Sequence, residues 1–315
     1  MTNPKYAIAP VFPATVASTL AVPVYLGNGV RLDHVPEIYR KYAARMTEEV
    51  GTRHTDSSSN LALVSEYDAE SMYEPDPTPP GRPRSKKAAA AEGIQIASLA
   101  LWLARPTELS YNLIAHLAED WRPEPFVFPT LVLVKSLQGE LFTQADIAEV
   151  KRLNESLSQM PRGLTAFVAS RYLWFATHEE AGDVSFGILS IAIEALVGPE
   201  KGVSIGVRIS RRGAALLGGT RDEQCLTFVR LSEWWKARCE LMHGDTLESH
   251  GDQSKARLIS VAEEFVRQVI RKLVLDQTVA GKFTSFVTRE AYLEQIASAF
   301  VEPSQGERTA AEANR

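Results

Sequence analysis

The sequence is poor in cysteine and has no long apolar run, and each absence excludes a class of protein. Cys225 and Cys239 are its two cysteines among 315 residues. Two cysteines cannot form a disulfide framework, and histidines at zinc-site spacing are missing around them. A reducing cytoplasm is therefore the expected location. No run of 18 apolar residues occurs, which predicts no transmembrane helix and no membrane partner.

Motifs that bind phosphate, dinucleotides or metals are also missing. The chain has no P-loop, no glycine-rich dinucleotide fingerprint, no nucleophile elbow and no pair of zinc-binding histidines around a glutamate. These absences exclude the common NTPases, dehydrogenases, α/β-hydrolases and zinc proteases, and they predict that the protein uses no metal and no cofactor. The net charge of −5 argues against a broad cationic surface, although local basic patches remain compatible with it.

The N-terminal part of the chain gives mixed signals. Residues 1–74 predict a smaller α+β region of uncertain fold. Within it, residues 22–26 followed by a Gly-Asn-Gly turn predict a strand and a tight turn, and residues 36–46 predict a short helix. Residues 75–92 are rich in proline and charge and predict a linker or loop, because such a segment neither sustains a helix nor forms a core.

The rest of the chain has helical patterning. Residues 93–142 are expected to be a helical connecting region, in which 108–119 is a candidate helix and 126–134 a candidate strand. Residues 143–301 contain capped amphipathic helices with short connections, which predict an antiparallel helical bundle. Residues 302–315 are expected to form a flexible tail. The predicted fold class is therefore mainly α.

One long predicted helix ends in an Arg238–His243 pair. It begins at Thr220, which forms a capping-box pattern with Glu223, and Gly244 ends it. Histidine moves protons near neutral pH, and arginine offers a charged, planar set of donors to phosphate oxygens. Residues five apart lie roughly 140° apart around a helix, so a site made from this pair requires a distorted helix end or a second subunit.

The surrounding segment resembles the HEPN superfamily of metal-independent ribonucleases. Arg238, four residues, His243 and then glycine is similar to the superfamily's arginine–histidine signature, and in particular to its ApeA-like branch. The apolar helix that contains Glu194 is similar to the Leu-Glu-x-Leu helix of the family, and residues 208–217 are similar to its arginine-rich helix. The resemblance covers about residues 165–275 and implies a HEPN-type antiparallel helical bundle.

The resemblance also implies a function. HEPN ribonucleases cleave RNA in a composite site between two protomers and leave 2′,3′-cyclic phosphate and 5′-OH ends. Arg238 would hold the scissile phosphate, His243 would move protons, and Glu194 would orient one of them. The family context implies a homodimeric toxin or effector in antiphage abortive infection, with a sensor or antitoxin as a further partner. Supporting candidates are Cys239 and Asp245, and candidate substrate-binding cations are Arg208, Arg211, Arg212 and Lys236.

Other interpretations of the same residues remain open. The chain can instead be a non-catalytic HEPN-like helical module that binds a protein partner or nucleic acid, or a scaffold subunit of a larger complex. A non-catalytic module predicts that Arg238 and His243 are buried and bonded to each other. Arg171 and His178 have a similar spacing, but the residues between them are largely apolar and fit a buried helix.

Overall fold

A computed structural model divides the chain into two compact units, Met1–Gln159 and Met160–Arg315. The protein is mainly α, and the first unit contains a six-stranded antiparallel sheet. No helix among the described residues is both long and apolar enough to cross a membrane. The structure describes residues 4–11, 15–16, 21–41, 61–68, 86–105, 110–111, 114–118, 124–126, 131–132, 141–160, 165–177, 182–200, 202–247 and 251–313.

The sheet of the first unit has the strand order β3-β4-β5-β1-β7-β8, and all its neighbouring strands are antiparallel. Two further pairs, β10 with β2 and β6 with β9, lie outside it. The strands are β1 (Pro4–Val11), β2 (Thr15–Val16), β3 (Val24–Gly27), β4 (Val30–His34), β5 (Leu61–Asp68), β6 (Ser110–Tyr111), β7 (Ile114–Ala118), β8 (Glu124–Phe126), β9 (Leu131–Val132) and β10 (Leu141–Phe142).

Helices cover both faces of the central strands. They are α1, described over 37–41, α2 (Lys86–Ala104) and α3 (Gln144–Gln159). One face carries a core cluster that includes Ile8, Val64 and Tyr39. On the opposite face Gly93 of α2 approaches Val30. Because both faces are covered, the central strands are continuous apolar runs instead of alternating with polar residues.

The predicted strand and turn at residues 22–29 are confirmed as the β3–β4 hairpin. Its turn residues Gly27, Asn28 and Gly29 all have positive φ, which glycine and asparagine adopt with little strain. Asn154 of α3 donates its side-chain amide to the carbonyl of Leu26 at 2.9 Å, so α3 is tied to this hairpin.

The helical prediction for residues 108–119 is wrong, and the expectation of a helical region over 93–142 holds only as far as Ala104. Strands β6 to β10 follow α2 in the described part of this region. The physical reason is non-local: β7 pairs antiparallel with β1, with Ala115 opposite Ile8 and Ala118 opposite Lys5. The strand predicted at 126–134 is confirmed in part, by β8 and β9.

The segment boundaries in the structure differ from those expected. Helix α2 begins at Lys86, inside the proposed linker 75–92, of which 75–85 lies outside the described residues. Helix α3 begins at Gln144, one residue after the expected start of the bundle. Thr143 caps it, since the Thr143 amide donates to Asp146 at 2.7 Å. However, α3 packs against α2 and β3 and belongs to the first unit.

The second unit is a helical bundle. Helix α5 contacts α4, α6, α7 and α8, and its strongly apolar sequence explains this central place, because Phe186, Leu189, Ile193 and Leu196 are fully buried. The helices are α4 (Thr165–Thr177), α5 (Gly182–Val197), α6 (Ile205–Leu217), α7 (Arg221–Met242), α8 (Asp252–Leu275), α9 (Gln277–Lys282), α10 (Phe286–Ser298) and α11 (Gln305–Ala313).

The C-terminal residues 302–315, which were expected to form a flexible tail, instead contain α11, and α11 packs on α7. Arg221 forms an ion pair with Glu307 at 2.9 Å. Hydrogen bonds from Arg221 and Ser304 lower the pKa of Glu307 to about 2. Phe300 stacks on Phe228 with ring centroids 5.8 Å apart. Polar composition alone could not reveal these specific partners on α7.

Candidate functional site

Helix α7 positions both members of the Arg238–His243 pair. The capping box of Thr220 with Glu223 fixes its start, as predicted. His243 is the C-cap residue, and its backbone N–H bonds to the carbonyls of Cys239 and Glu240, both at 3.1 Å. Gly244 then adopts a φ of 97°, a left-handed conformation that glycine accepts readily. The prediction that the helix ends at this glycine is therefore confirmed.

Arg238 is held by Glu194, so the structure brings these two predicted residues together. Glu194 Oε1 accepts from Arg238 Nε at 2.8 Å and from Arg238 Nη2 at 2.7 Å. The guanidinium also lies over the ring of Trp235, 4.9 Å from its centroid. The side chain of Arg238 keeps 23% of its surface exposed. It is thus fixed on two sides and remains accessible on others, as a residue that contacts a phosphate must be.

His243 lies at the exposed end of the same helix. Within the described residues, no hydrogen bond or ion pair joins its imidazole to Arg238 or to another side chain. The five-residue offset separates the two positions by roughly 7.5 Å along the axis and 140° around it. One protomer therefore presents Arg238 and His243 on different sides of the helix end. The expectation that a non-catalytic module buries and bonds the pair is not met.

The two adjacent tryptophans have different surroundings. From the sequence alone, core packing or a dimer interface is the expected role of both, and at most one of them can stack on a base. Trp234 is fully buried, and its ring lies 6.3 Å from that of Phe186, so it belongs to the core. Trp235 is partly exposed and lies against Gly206 of α6, where an added Cβ would collide with its ring. Trp235 therefore packs between Gly206 and the guanidinium of Arg238.

The other candidate residues near the pair are partly buried or exposed. Cys239 is a partly buried free thiol, and Asp245 and Lys236 are exposed. The backbone N–H of Asp245 bonds to the carbonyl of Glu240 at 3.2 Å. In the competing pair, Arg171 is exposed on α4, whereas His178 lies outside the described residues.

The candidate substrate-binding arginines of α6 are bonded inside the unit. Arg208 pairs with Glu294, and Arg211 pairs with Glu302. Arg212 is fully buried and therefore cannot contact RNA in this conformation. Burial acts to lower the pKa of Arg212, but the hydrogen bonds that it donates to Glu290 and Glu294 outweigh burial and raise that pKa. The structure thus gives Arg212 an internal role in place of the substrate contact that was predicted.

The sequence interpretation missed a second buried arginine, Arg289 of α10. It donates to the carbonyl of Ala195 and, at 3.4 Å, to that of Gly198, while Arg212 donates to the carbonyl of Val197 at 3.2 Å. Carbonyls at a helix C-terminus have no partner within the helix, and two arginines satisfy them here. These contacts fix the end of α5, the helix from which Glu194 reaches Arg238. The spacing of Glu290 and Glu294 could have indicated a buried cation in this region, because it puts two carboxylates on one helix face.

Neither a metal-binding cluster among the described residues nor a similarity to a known protein points to a further site. No group of three or more histidine, cysteine or acidic side chains within the described ranges could hold a metal ion. Comparisons with protein-family models, with curated protein sequences and with solved structures give no match. The candidate site therefore rests on its own geometry: Arg238 and its supports Glu194 and Trp235, with His243 at the end of the same helix.

Proposed function

We propose that the second unit is a metal-independent endoribonuclease of the HEPN type, acting as a toxin or effector in antiphage abortive infection. The observation that carries this proposal is the arrangement around Arg238. Glu194 holds the guanidinium through two nitrogens, yet part of it stays exposed, and His243 lies in solvent at the end of the same helix. The order of these residues along the chain is that of the family they resemble.

The proposed reaction uses the two residue types as follows. The ribose 2′-oxygen attacks the adjacent phosphorus and loses its proton, the bond from phosphorus to the 5′-oxygen breaks, and that oxygen gains a proton. The products are a 2′,3′-cyclic phosphate and a 5′-OH. His243 moves a proton, and Arg238 neutralises the charge that develops on the non-bridging phosphate oxygens. The charge is stabilised by the guanidinium, so these steps require no metal or cofactor.

A second copy of the chain completes the site in this proposal. One protomer places Arg238 and His243 on different sides of α7, whereas two copies can set one pair against the other. Met242, next to His243, is 63% exposed, and an apolar side chain of this kind gains from burial in an interface. We place the homodimer in the cytoplasm, with the first unit sensing a trigger, restraining the nuclease or binding an antitoxin.

The test is an RNA-cleavage assay on the full chain with EDTA present. Wild-type protein is expected to cleave RNA and leave cyclic phosphate ends, and His243→Ala is expected to lose about 100-fold or more of the rate, because a positioned proton-transfer group contributes about that much. Asp222→Ala, which changes an exposed residue at the opposite end of the same helix, is the matched control and should stay active. Folded wild-type protein that cleaves no RNA would refute catalysis, and a fully active His243→Ala would shift attention to His178.

A second candidate function is a non-catalytic HEPN-like module that binds a protein partner or nucleic acid. One observation favours it: Arg238, Arg208 and Arg211 already have carboxylate partners, so less cationic surface surrounds the motif than the sequence suggests. This alternative predicts binding of RNA or protein without cleavage, and equal binding by wild type and His243→Ala. The cleavage assay, run beside a mobility-shift assay, distinguishes the two.

A further inference from the structure

A cleft in the second unit lies apart from the Arg238–His243 pair. It is bounded by the C-terminal end of α6, the first half of α7 and the second half of α8. Its volume is about 460 Å³, within the range of roughly 300 to 1,000 Å³ that is typical of small-molecule sites. Leu231 is the lining residue of α7 nearest the candidate nuclease residues. Arg238 and His243 lie seven and twelve positions further along α7, or about 10 and 18 Å along the helix axis.

The floor of the cleft is apolar. Leu226 and Leu231 come from α7, and Val261, Phe265 and Leu275 come from α8. Leu231 and Phe265 are held there by Gly213 of α6, where an added Cβ would collide with Leu231 and meet the Phe265 ring at 3.0 Å. Leu231 and Phe265 are only 1% and 4% exposed, so the apolar surface that a ligand can contact is supplied by the partly exposed Leu217, Leu226, Val261 and Leu275.

Three cations lie around this floor: Arg230 of α7, and Arg271 and Lys272 of α8. Lys272 Nζ donates to the carbonyl of Leu217 at 3.3 Å, which holds its ammonium at the Gly218 end of the cleft. An ammonium group has three donor hydrogens, so this single bond leaves Lys272 able to bind an anion as well.

The acidic residues of the cleft are already engaged. Glu223 is the acceptor in the capping box at the start of α7. Glu264 accepts two hydrogen bonds from Arg267, at 2.8 and 2.6 Å, and a third from Gln268. Arg267 neutralises Glu264, so Arg230 and Lys272 together exceed the one remaining negative charge of the lining, that of Glu223. The cleft therefore combines an apolar floor with a cationic rim.

We propose that this cleft binds a mononucleotide-like organic phosphate, with the phosphate at Arg230 and Lys272 and the flat base against Leu226, Val261 and Leu275. Arginine and lysine are the residues that most often bind phosphate. The apolar floor distinguishes the ligand from inorganic phosphate, and the cationic rim distinguishes it from a neutral nucleoside. This second ligand site does not depend on the nuclease proposal, because it shares no residue with the Arg238–His243 pair.

The test is calorimetric titration of the full chain at low ionic strength with adenosine 5′-monophosphate and, separately, uridine 5′-monophosphate. Saturable binding of either nucleotide with a Kd below about 1 mM is expected, and adenosine, uridine and inorganic phosphate should each bind at least about tenfold more weakly. No binding of either nucleotide would overturn the proposal. Binding of a nucleoside or of inorganic phosphate as tightly as the nucleotide would overturn it too.

Three variants show whether the binding occurs in this cleft. Arg230→Gln and Lys272→Gln each remove a rim cation, and each should weaken nucleotide binding by about tenfold, the effect of losing one charged hydrogen-bonding partner. Arg230→Gln leaves the carbonyl of Leu217 capped, so it tests binding without disturbing α6. Arg257→Gln is the control, since this exposed arginine of α8 pairs with Glu233 outside the cleft. Unchanged affinity in both rim variants would locate the binding elsewhere and refute the proposal.

Discussion

Glu290 binds both terminal nitrogens of Arg212, with Oε1 3.0 Å from Nη1 and Oε2 2.8 Å from Nη2. The arginine side chain is fully buried, and it also donates to the carbonyl of Val197 at the end of α5. This one guanidinium therefore links α5, α6 and α10 in the bundle. It also keeps in place the end of the helix that carries Glu194.

Glu290→Gln is expected to destabilise the second unit by about 3 kcal/mol, because it leaves a buried guanidinium short of a carboxylate. The free energy of unfolding, measured by urea denaturation, tests this expectation. Glu233→Gln is the matched control: it removes the partner of Arg257, which is 47% exposed, and such surface pairs contribute less than about 1 kcal/mol. Equal losses of unfolding free energy in the two variants would show that the buried pair contributes no more to stability than the surface pair.

Gly213→Ala is expected to lower the free energy of unfolding by about 1 to 3 kcal/mol, the usual effect of overpacking. The added methyl group would enter the contact of α6 with Leu231 and Phe265. Gly187→Ala in α5 is the control, because no atom lies within 4 Å of its added Cβ. It should stabilise by up to about 1 kcal/mol through helix propensity. A stabilising Gly213→Ala would mean that the three helices pack less closely than the structure shows.

Glu194→Gln tests whether Glu194 positions Arg238 for the proposed cleavage. We expect kcat for RNA to fall at least about tenfold with KM changed by less than about threefold, because an interaction used mainly in the transition state is weakened. Stability should change by less than about 1 kcal/mol, since the pair is partly exposed. Unchanged kcat in Glu194→Gln, with wild type active, would contradict the positioning role.

Local signals in the sequence were sufficient to predict where α7 starts and ends. The capping box of Thr220 with Glu223 and the glycine after His243 depend on residues within one helical turn of each other. The same holds for the β3–β4 hairpin, whose turn requires positive φ at Gly27 and Gly29. The resemblance implied only that Glu194 orients Arg238 or His243. No local pattern could select Arg238, because Glu194 and Arg238 are far apart in the chain.

Features that depend on distant segments could not be predicted in this way. Residues 114–118 form a strand because β1 offers them an antiparallel partner, and no local pattern contains that partner. The arginines of α6 looked like a free basic surface because their glutamate partners lie about 80 to 90 residues later, in α10 and just before α11. Charge counted along a segment therefore overestimated the cationic surface near the candidate site.

Glu263 makes the stability of the second unit depend on pH. It is 8% exposed on α8, and burial raises its pKa from 4.5 to about 7. Below the unfolded value of 4.5 both states hold the proton. As the pH rises from 4.5 to about 7, the unfolded chain releases the proton while the folded chain retains it, so stability falls and then levels off above about pH 7.

Glu263→Gln removes this titration and should be more stable than wild type at about pH 8, by up to about 3 kcal/mol, whereas the difference should vanish near pH 4. Urea denaturation at several pH values between these limits measures it. Glu263→Met, which is also neutral and similar in size, is the second variant and should show the same loss of pH dependence. A stability difference between wild type and Glu263→Gln that is equal at both pH values would mean that the pKa of Glu263 is the same in the folded and unfolded states, and that burial does not raise it.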